Sequence, residues 1–277
     1  MRIDAHQHFW QFNPIRDSWV TDDMAIIQRD FLPQDLQPLL QEHGFDGCVL
    51  VQTSQPEHEN EILLEWAQGH DFIKGVVGWV DFFAPDIAER LAHLSQFKKL
   101  KGFRYVLQGA ENKELMLNPN FKKGIAQLQK FNFTYDILIY PNQLRPTAEL
   151  VAEFPDQTFV INHLAKPNMK AGAEAFKEWQ KDMKAFAPHE QGFCKVSGMV
   201  TQADWQNWKK EDFTPYLDTL IEIFGPERLM FGSDWPVCLV AASYAETLGI
   251  VQDYFSSFSQ EEQGLIFGRN AAAFYRL

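Results

Sequence analysis

The chain has 277 residues, 45% of them hydrophobic, which fits one (β/α)8 barrel and a large buried core. Its 25 basic and 37 acidic side chains leave a net charge of −12, an unfavourable balance for a nucleic-acid backbone or an anionic membrane as partner. The three cysteines, Cys48, Cys194 and Cys238, are far apart and form no CxxC pair, which argues against a disulfide scaffold or a zinc ribbon.

The amino terminus, MRIDAHQHFW, lacks the long apolar core of a signal peptide, and no apolar run reaches membrane-spanning length. The expectation is a soluble cytoplasmic protein acting on a small molecule, with neither nucleic acid nor membrane as partner. This first segment is also the first predicted strand, over 2–9. Side chains two apart on a strand share a face, so His6 and His8 are expected to point the same way at its C-terminal end, with Asp4 deeper on that face as an orienting group. Two imidazoles so placed suit a divalent metal or a substrate carbonyl. The competing reading is a pair of satisfied structural histidines.

Residues 9–32 form the longest break in the pattern and carry Trp10, Trp19 and Phe31. A loop of this length with its own aromatics is expected at the C-terminal mouth of a barrel, in a functional role. Helical spacing follows over 33–43, where Leu36, Leu39 and Leu40 share a face and Gly44 is the stop. Short apolar strands are then predicted over 47–53, 73–81, 100–107, 134–140, 159–165, 193–199 and 229–234. Helical stretches over 57–69, 85–97, 119–131, 143–154, 173–187 and 212–224 alternate with them, and one or two more helices end the chain. Eight strand-then-helix units in residues 1–277, with no linker and no Gly-rich loop after the first strand, favour a single-domain closed parallel barrel over an open sheet. The outer helices show no decisive apolar stripe, so the sequence names no oligomeric state.

Chemistry-bearing residues recur at the predicted strand ends. The third strand brings Trp79, which is either a stacking surface for a ligand or core packing. The fourth reads KGFRY; a guanidinium at Arg104 is costly to bury without an anion or oxyanion to serve, so Arg104 is read as a substrate binder, with a structural ion pair as the alternative. His163 ends the sixth strand, FVINHLAKP, with Lys166 three residues on. Lys195 on the seventh is a further substrate-binding candidate. The eighth, LMFGSDWPV, ends in Asp234, placed to act as a general base on water or to ligate a metal, with Trp235 beside it as a second stacking candidate.

The pattern of HxH on strand one, His on strand six and Asp on strand eight resembles the amidohydrolase superfamily. The segments DAHQHFW, VVGWVDF, KGFRYVLQG, FVINHLAKP, KVSGM, MFGSDWPV and GRNAAAFYRL look like its sugar-acid lactonase branch, over nearly the whole chain. That resemblance implies hydrolysis of an aldonolactone such as L-fuconolactone or L-rhamnonolactone, with His6, His8, His163 and Asp234 as catalytic residues. The better-known binuclear members carry a bridging Lys or another metal ligand on the fourth or fifth strand, and a further His on the fifth. GFRYVL and TYDILIY supply neither a His nor an obvious bridging Lys, so two metals are not expected. One divalent ion, zinc first, held by His6, His8 and Asp234 stays open beside metal-free catalysis. Two other functions stay open as well: a mononuclear-zinc decarboxylase of an aromatic carboxylic acid, and a non-catalytic sugar-acid binder.

Overall fold

The computed structural model describes residues 1–277. All eight predicted strands form: β1 (Ile3–Gln7), β2 (Gly47–Val51), β3 (Ile73–Gly78), β4 (Leu100–Val106), β5 (Thr134–Leu138), β6 (Phe159–Ile161), β7 (Gly192–Val196) and β8 (Leu229–Phe231). Every one is parallel to its neighbours, in sequence order. Hydrogen bonds from Asp234 N to His6 O (2.8 Å) and from His8 N to Trp235 O (2.7 Å) join the last strand to the first and close the barrel. The strands are shorter than predicted mainly at their C-terminal ends, where the chain leaves the sheet and loops begin.

The helices are α1 (Pro33–Glu42), α2 (Glu59–Gly69), α3 (Ile87–Leu94), α4 (Pro119–Leu128), α5 (Leu144–Glu153), α6 (Gly172–Met183), α7 (Met199–Gln202), α8 (Lys210–Phe224), α9 (Tyr244–Tyr254), α10 (Gln260–Gly264) and α11 (Asn270–Tyr275). Their starts follow local chemistry. Pro33 opens α1, where a missing N–H costs nothing, and Asp35 accepts from Leu32 N at 2.8 Å. Ser243 caps α9 and receives Glu246 in return, a reciprocal box that stabilises a helix start by about 1 kcal/mol.

Alternation sorts the strand residues into two cores. Leu50, Phe103, Tyr135, Ile161, Cys194 and Phe231 pack outward against the helices. Ile3, Val49, Val77, Val160 and Met230 fill the barrel interior, and Phe274 and Tyr275 of α11 pack with them. The last helix therefore plugs the N-terminal end of the barrel. All three cysteines are free and buried. No helix is long and apolar enough to cross a membrane.

The expected alternation fails on β1. The register shifts between Asp4 and Gln7, so Asp4 does not share a face with His6. Its carboxylate instead accepts from Ser233 N (2.9 Å), His6 N (3.2 Å) and the Tyr244 hydroxyl (3.2 Å) of α9. Asp4 thus pins the β1–β8 seam through the backbone; it does not touch an imidazole. Gly232 leaves room for this seam, since a Cβ there would lie 2.6 Å from the Cβ of His6.

Candidate active site

Four side chains from three strand ends meet around one carboxylate oxygen. Asp234 Oδ1 lies 3.4 Å from His8 Nε2, 3.7 Å from His163 Nε2 and 3.8 Å from His6 Nε2. All four residues are buried. Each ring is oriented from behind. Val51 O sits 2.7 Å from His8 Nδ1 and can only accept, so Nδ1 carries the proton and Nε2 offers its lone pair inward. His163 Nδ1 meets Ser197 Oγ at 2.9 Å. His6 is flanked by Arg104 Nη1, 3.3 Å from Nε2, and by Lys195 Nζ, 3.2 Å from Nδ1.

The backbone is bent to achieve this. His163, Leu164, Ala165 and Lys166 all adopt left-handed φ between 52° and 59°, at about 1–2 kcal/mol per residue. Buried Leu164 and Ala165, and a hydrogen bond from Trp179 Nε1 to Leu164 O (2.7 Å), hold the turn. It cuts β6 short of its predicted end and brings His163 and Lys166 to the mouth. Asp234 is left-handed too, at φ +57°. Gly198, at φ +62°, faces His163; a Cβ there would lie 2.6 Å from its Nδ1.

Electrostatics keep the rings neutral and the carboxylate charged. Burial pushes His163 down to about 3, against the opposing pull of Asp234. Burial, then Lys195, lowers His6 well below its ordinary value, and burial likewise lowers His8. For Asp234 burial acts upward, but the surrounding polar groups, the Lys166 ammonium among them, outweigh it and the net shift is down. Lys166 falls to about 8, chiefly through desolvation.

A neutral buried His163 has a consequence for stability. In the unfolded chain it takes up a proton near 6.5, in the folded chain only near 3. Its contribution is therefore complete above pH 6.5 and is lost as the pH falls toward 3. The Tm of metal-free protein should drop between pH 7 and 5, and His163→Asn should drop less steeply. Parallel curves for the two proteins would contradict the neutral assignment. Asp4, raised to about 6 by burial, acts in the opposite sense in both proteins and leaves the comparison intact.

His8, His163 and Asp234 form the floor of a cavity of about 360 Å³, and His6 lies buried behind them. Arg104 and Lys166 line it, as do Gln55 and Gln108. Arg104 is 5% exposed and has no ion-pair partner. Gln52 Oε1 holds its Nε at 3.0 Å and its Nη2 at 2.6 Å. Burial lowers it to about 10, so it stays charged at neutral pH. The long 9–32 loop supplies one wall through Arg16 and Trp19, with Asp17 clamping the guanidinium at 2.7 Å through two nitrogens. A larger groove, about 560 Å³, lies between α2 and α3 on the outer wall, away from the strand ends.

Three expected site residues lie elsewhere. Trp79 stacks on Tyr105, centroids 5.9 Å apart, outside the cavity lining. Trp235 is 2% exposed and wedged between Phe9 and Phe31, behind Asp234. Lys195 is fully buried beneath the floor and pairs with Asp136 at 2.6 Å. An aromatic or a lysine next to a strand end can face the helices or the barrel axis, and side-chain type alone does not decide which. Arg16 and Gln108 went unnoticed in the sequence; only the functional reading of the 9–32 loop pointed toward the first.

The donor set suits one small cation. One nitrogen or oxygen each from His6, His8 and Asp234 lies within 4.8 Å of the others. Tetrahedral zinc with bonds of about 2.1 Å sets neighbouring ligand atoms about 3.4 Å apart, close to the 3.4 and 3.8 Å found here between carboxylate and imidazoles.

An amidohydrolase family model matches residues 3–277. An L-fucono-1,5-lactonase of Burkholderia multivorans is 36% identical over 286 residues, covering 100% of this chain and 96% of the relative. An L-fucono-1,5-lactonase of Burkholderia ambifaria is 32% identical, again over 100% of this chain and 96% of the relative. The crystal structure of a Burkholderia multivorans amidohydrolase with bound zinc superposes with a TM-score of 0.96 at 36% identity, over 100% of this chain and 99% of that one.

Proposed function

This chain belongs to the amidohydrolase family, and from that premise we propose that it opens the ring of a sugar-acid lactone, an aldonolactone of the L-fuconolactone or L-rhamnonolactone kind. The observation that carries this reading is the single carboxylate oxygen of Asp234, on the floor of a polar cavity, facing three neutral imidazoles. His6, His8 and Asp234 would hold a zinc ion, which when bound supplies a Lewis acid that polarises the carbonyl and acidifies water.

The residues divide the work as follows. Asp234, ionised at neutral pH, takes a proton from water as the water oxygen bonds to the lactone carbonyl carbon. Negative charge builds on the carbonyl oxygen. Arg104 Nη1, beside His6 and fixed by Gln52 from behind, supplies a permanent positive charge to stabilise that oxygen. When the ring carbon–oxygen bond breaks, the departing alkoxide takes its proton from protonated Asp234. His163, already neutral, positions the carboxylate. The donors of Gln55 and Gln108 and the indole face of Trp19 suit the hydroxyls and the apolar face of a sugar. We place the enzyme in the cytoplasm, a setting supported by its three free thiols.

Trp19 is 42% exposed and braced edge-on by Trp10, with centroids 5.9 Å apart. Trp19→Ala should raise KM roughly three- to tenfold, the equivalent of about 1 kcal/mol of apolar contact, with kcat little changed. A fall in kcat at constant KM would remove Trp19 from the binding wall.

The function is tested by acid release from a panel of aldonolactones, with and without chelator, beside carbon dioxide release from aromatic carboxylic acids. Acid from at least one aldonolactone is the expected result. Carbon dioxide without acid would replace the lactonase reading by the decarboxylase one. Binding without either product would leave only a sugar-acid receptor.

A further inference from the structure

The barrel axis beneath the cavity carries polar groups with no part in the chemistry above. Asp136 on β5 is fully buried, and its Oδ2 accepts from Lys195 Nζ at 2.6 Å and from Asn162 Nδ2 at 3.0 Å. The Tyr275 hydroxyl lies 2.8 Å from Oδ1 and 3.0 Å from Oδ2. For Oδ1 that hydroxyl is the only partner. Lys195, also fully buried, stands 3.2 Å from His6 Nδ1, and its Nζ lies 5.3 Å from the centre of the Tyr275 ring. An unbroken series of contacts thus runs from the third-last residue of the chain, through the barrel, to the His6 imidazole facing Asp234.

We propose that Tyr275 is a positioning residue for His6, acting through Asp136 and Lys195, so that the carboxy-terminal plug is part of the active-site machinery. This rests on the reading of His6 as a working member of the site. The physical reason is that a buried ion pair is well placed only while every oxygen and proton has a partner. Without the Tyr275 hydroxyl, Oδ1 has none. The carboxylate then turns to share Lys195 and Asn162 between both oxygens, and Lys195 Nζ moves with it. The contact at His6 Nδ1 is the one that yields, because it is longer than the 2.6 Å pair. The ring loses its fixed orientation toward Asp234, and nothing that touches the substrate is removed. The effect belongs in kcat, at constant KM.

Tyr275→Phe removes one oxygen and keeps the plug. It should lower kcat about tenfold, the size usual for groups behind a working histidine, with KM unchanged. In the Lys195→Met background the same substitution should cost nothing further, since its route to His6 is gone. If Lys195→Met does not fold, Asp136→Asn provides the same background. A loss that multiplies in either background, or a wild-type kcat in Tyr275→Phe, would overturn the proposal. A readout independent of any substrate separates its failure from failure of the lactonase reading. In protein labelled with ¹⁵N at histidine, Tyr275→Phe should move the ring-nitrogen signals of His6 and leave those of the surface residue His189 in place. Unmoved His6 signals in the folded variant overturn the proposal whatever the enzyme hydrolyses.

Discussion

Asp234→Asn should lower kcat on a sugar lactone by about 10³-fold while KM stays within a few-fold of wild type. The substitution isolates the proton acceptor. Asparagine has nearly the same shape, and it tolerates the left-handed backbone that this position requires, at φ +57°. Its amide N–H can still face the inward lone pair of His8 Nε2, which Asp234 Oδ1 now approaches to 3.4 Å, so the four strand-end groups should stay together. What is lost is a carboxylate held below its ordinary pKa, with the Lys166 ammonium among the groups that favour its charged form. The assay is run at saturating zinc, because an amide is also the poorer ligand. Turnover near the wild-type rate would remove Asp234 from the role of base.

Arg104→Met should reduce kcat by about 10²–10³-fold, the effect of deleting one oxyanion donor from a water-excluded site. The guanidinium is buried with neutral partners only, so its charge is not consumed by a structural ion pair. That is the arrangement expected of a charge kept for an oxygen that becomes negative in the reaction. Arg104→Lys should rescue little, since one ammonium cannot bond Gln52 Oε1 from two nitrogens and also reach the place of Nη1. Truncation to Met also leaves Gln52 Oε1 short of donors, at about 1–3 kcal/mol of stability, so the folded fraction must be measured alongside kcat. Full activity in a folded Arg104→Lys enzyme would reduce Arg104 to a generic positive charge.

Much of this was legible from residue order because barrel chemistry is written at strand ends. His6 and His8 on the first strand, His163 on the sixth and Asp234 on the eighth could be placed together once eight strand–helix units were counted. The rest depended on features without a local signature. The register shift on β1 turned Asp4 outward, and a shift of one residue is invisible to an alternation argument. The left-handed turn at His163–Lys166 contains no glycine to announce it. The loop over 9–32 was recognised by its length, but only its folded course shows that Trp19, not Trp79 or Trp235, reaches the cavity. Lys195 pairs with an aspartate 59 positions away, and that aspartate meets a tyrosine 139 positions further on. Such long-range satisfaction of buried charge is a property of the closed barrel, and no window of sequence contains it.

The central claim, that Asp234 activates water and does not itself attack the lactone, is tested most directly by one turnover in H₂¹⁸O with enzyme in excess over L-fucono-1,5-lactone. The label should enter the carboxylate of the very first product molecules, and the peptide bearing Asp234 should remain unlabelled. Unlabelled product together with ¹⁸O in that peptide would mean an acyl-enzyme on Asp234, and would contradict the mechanism.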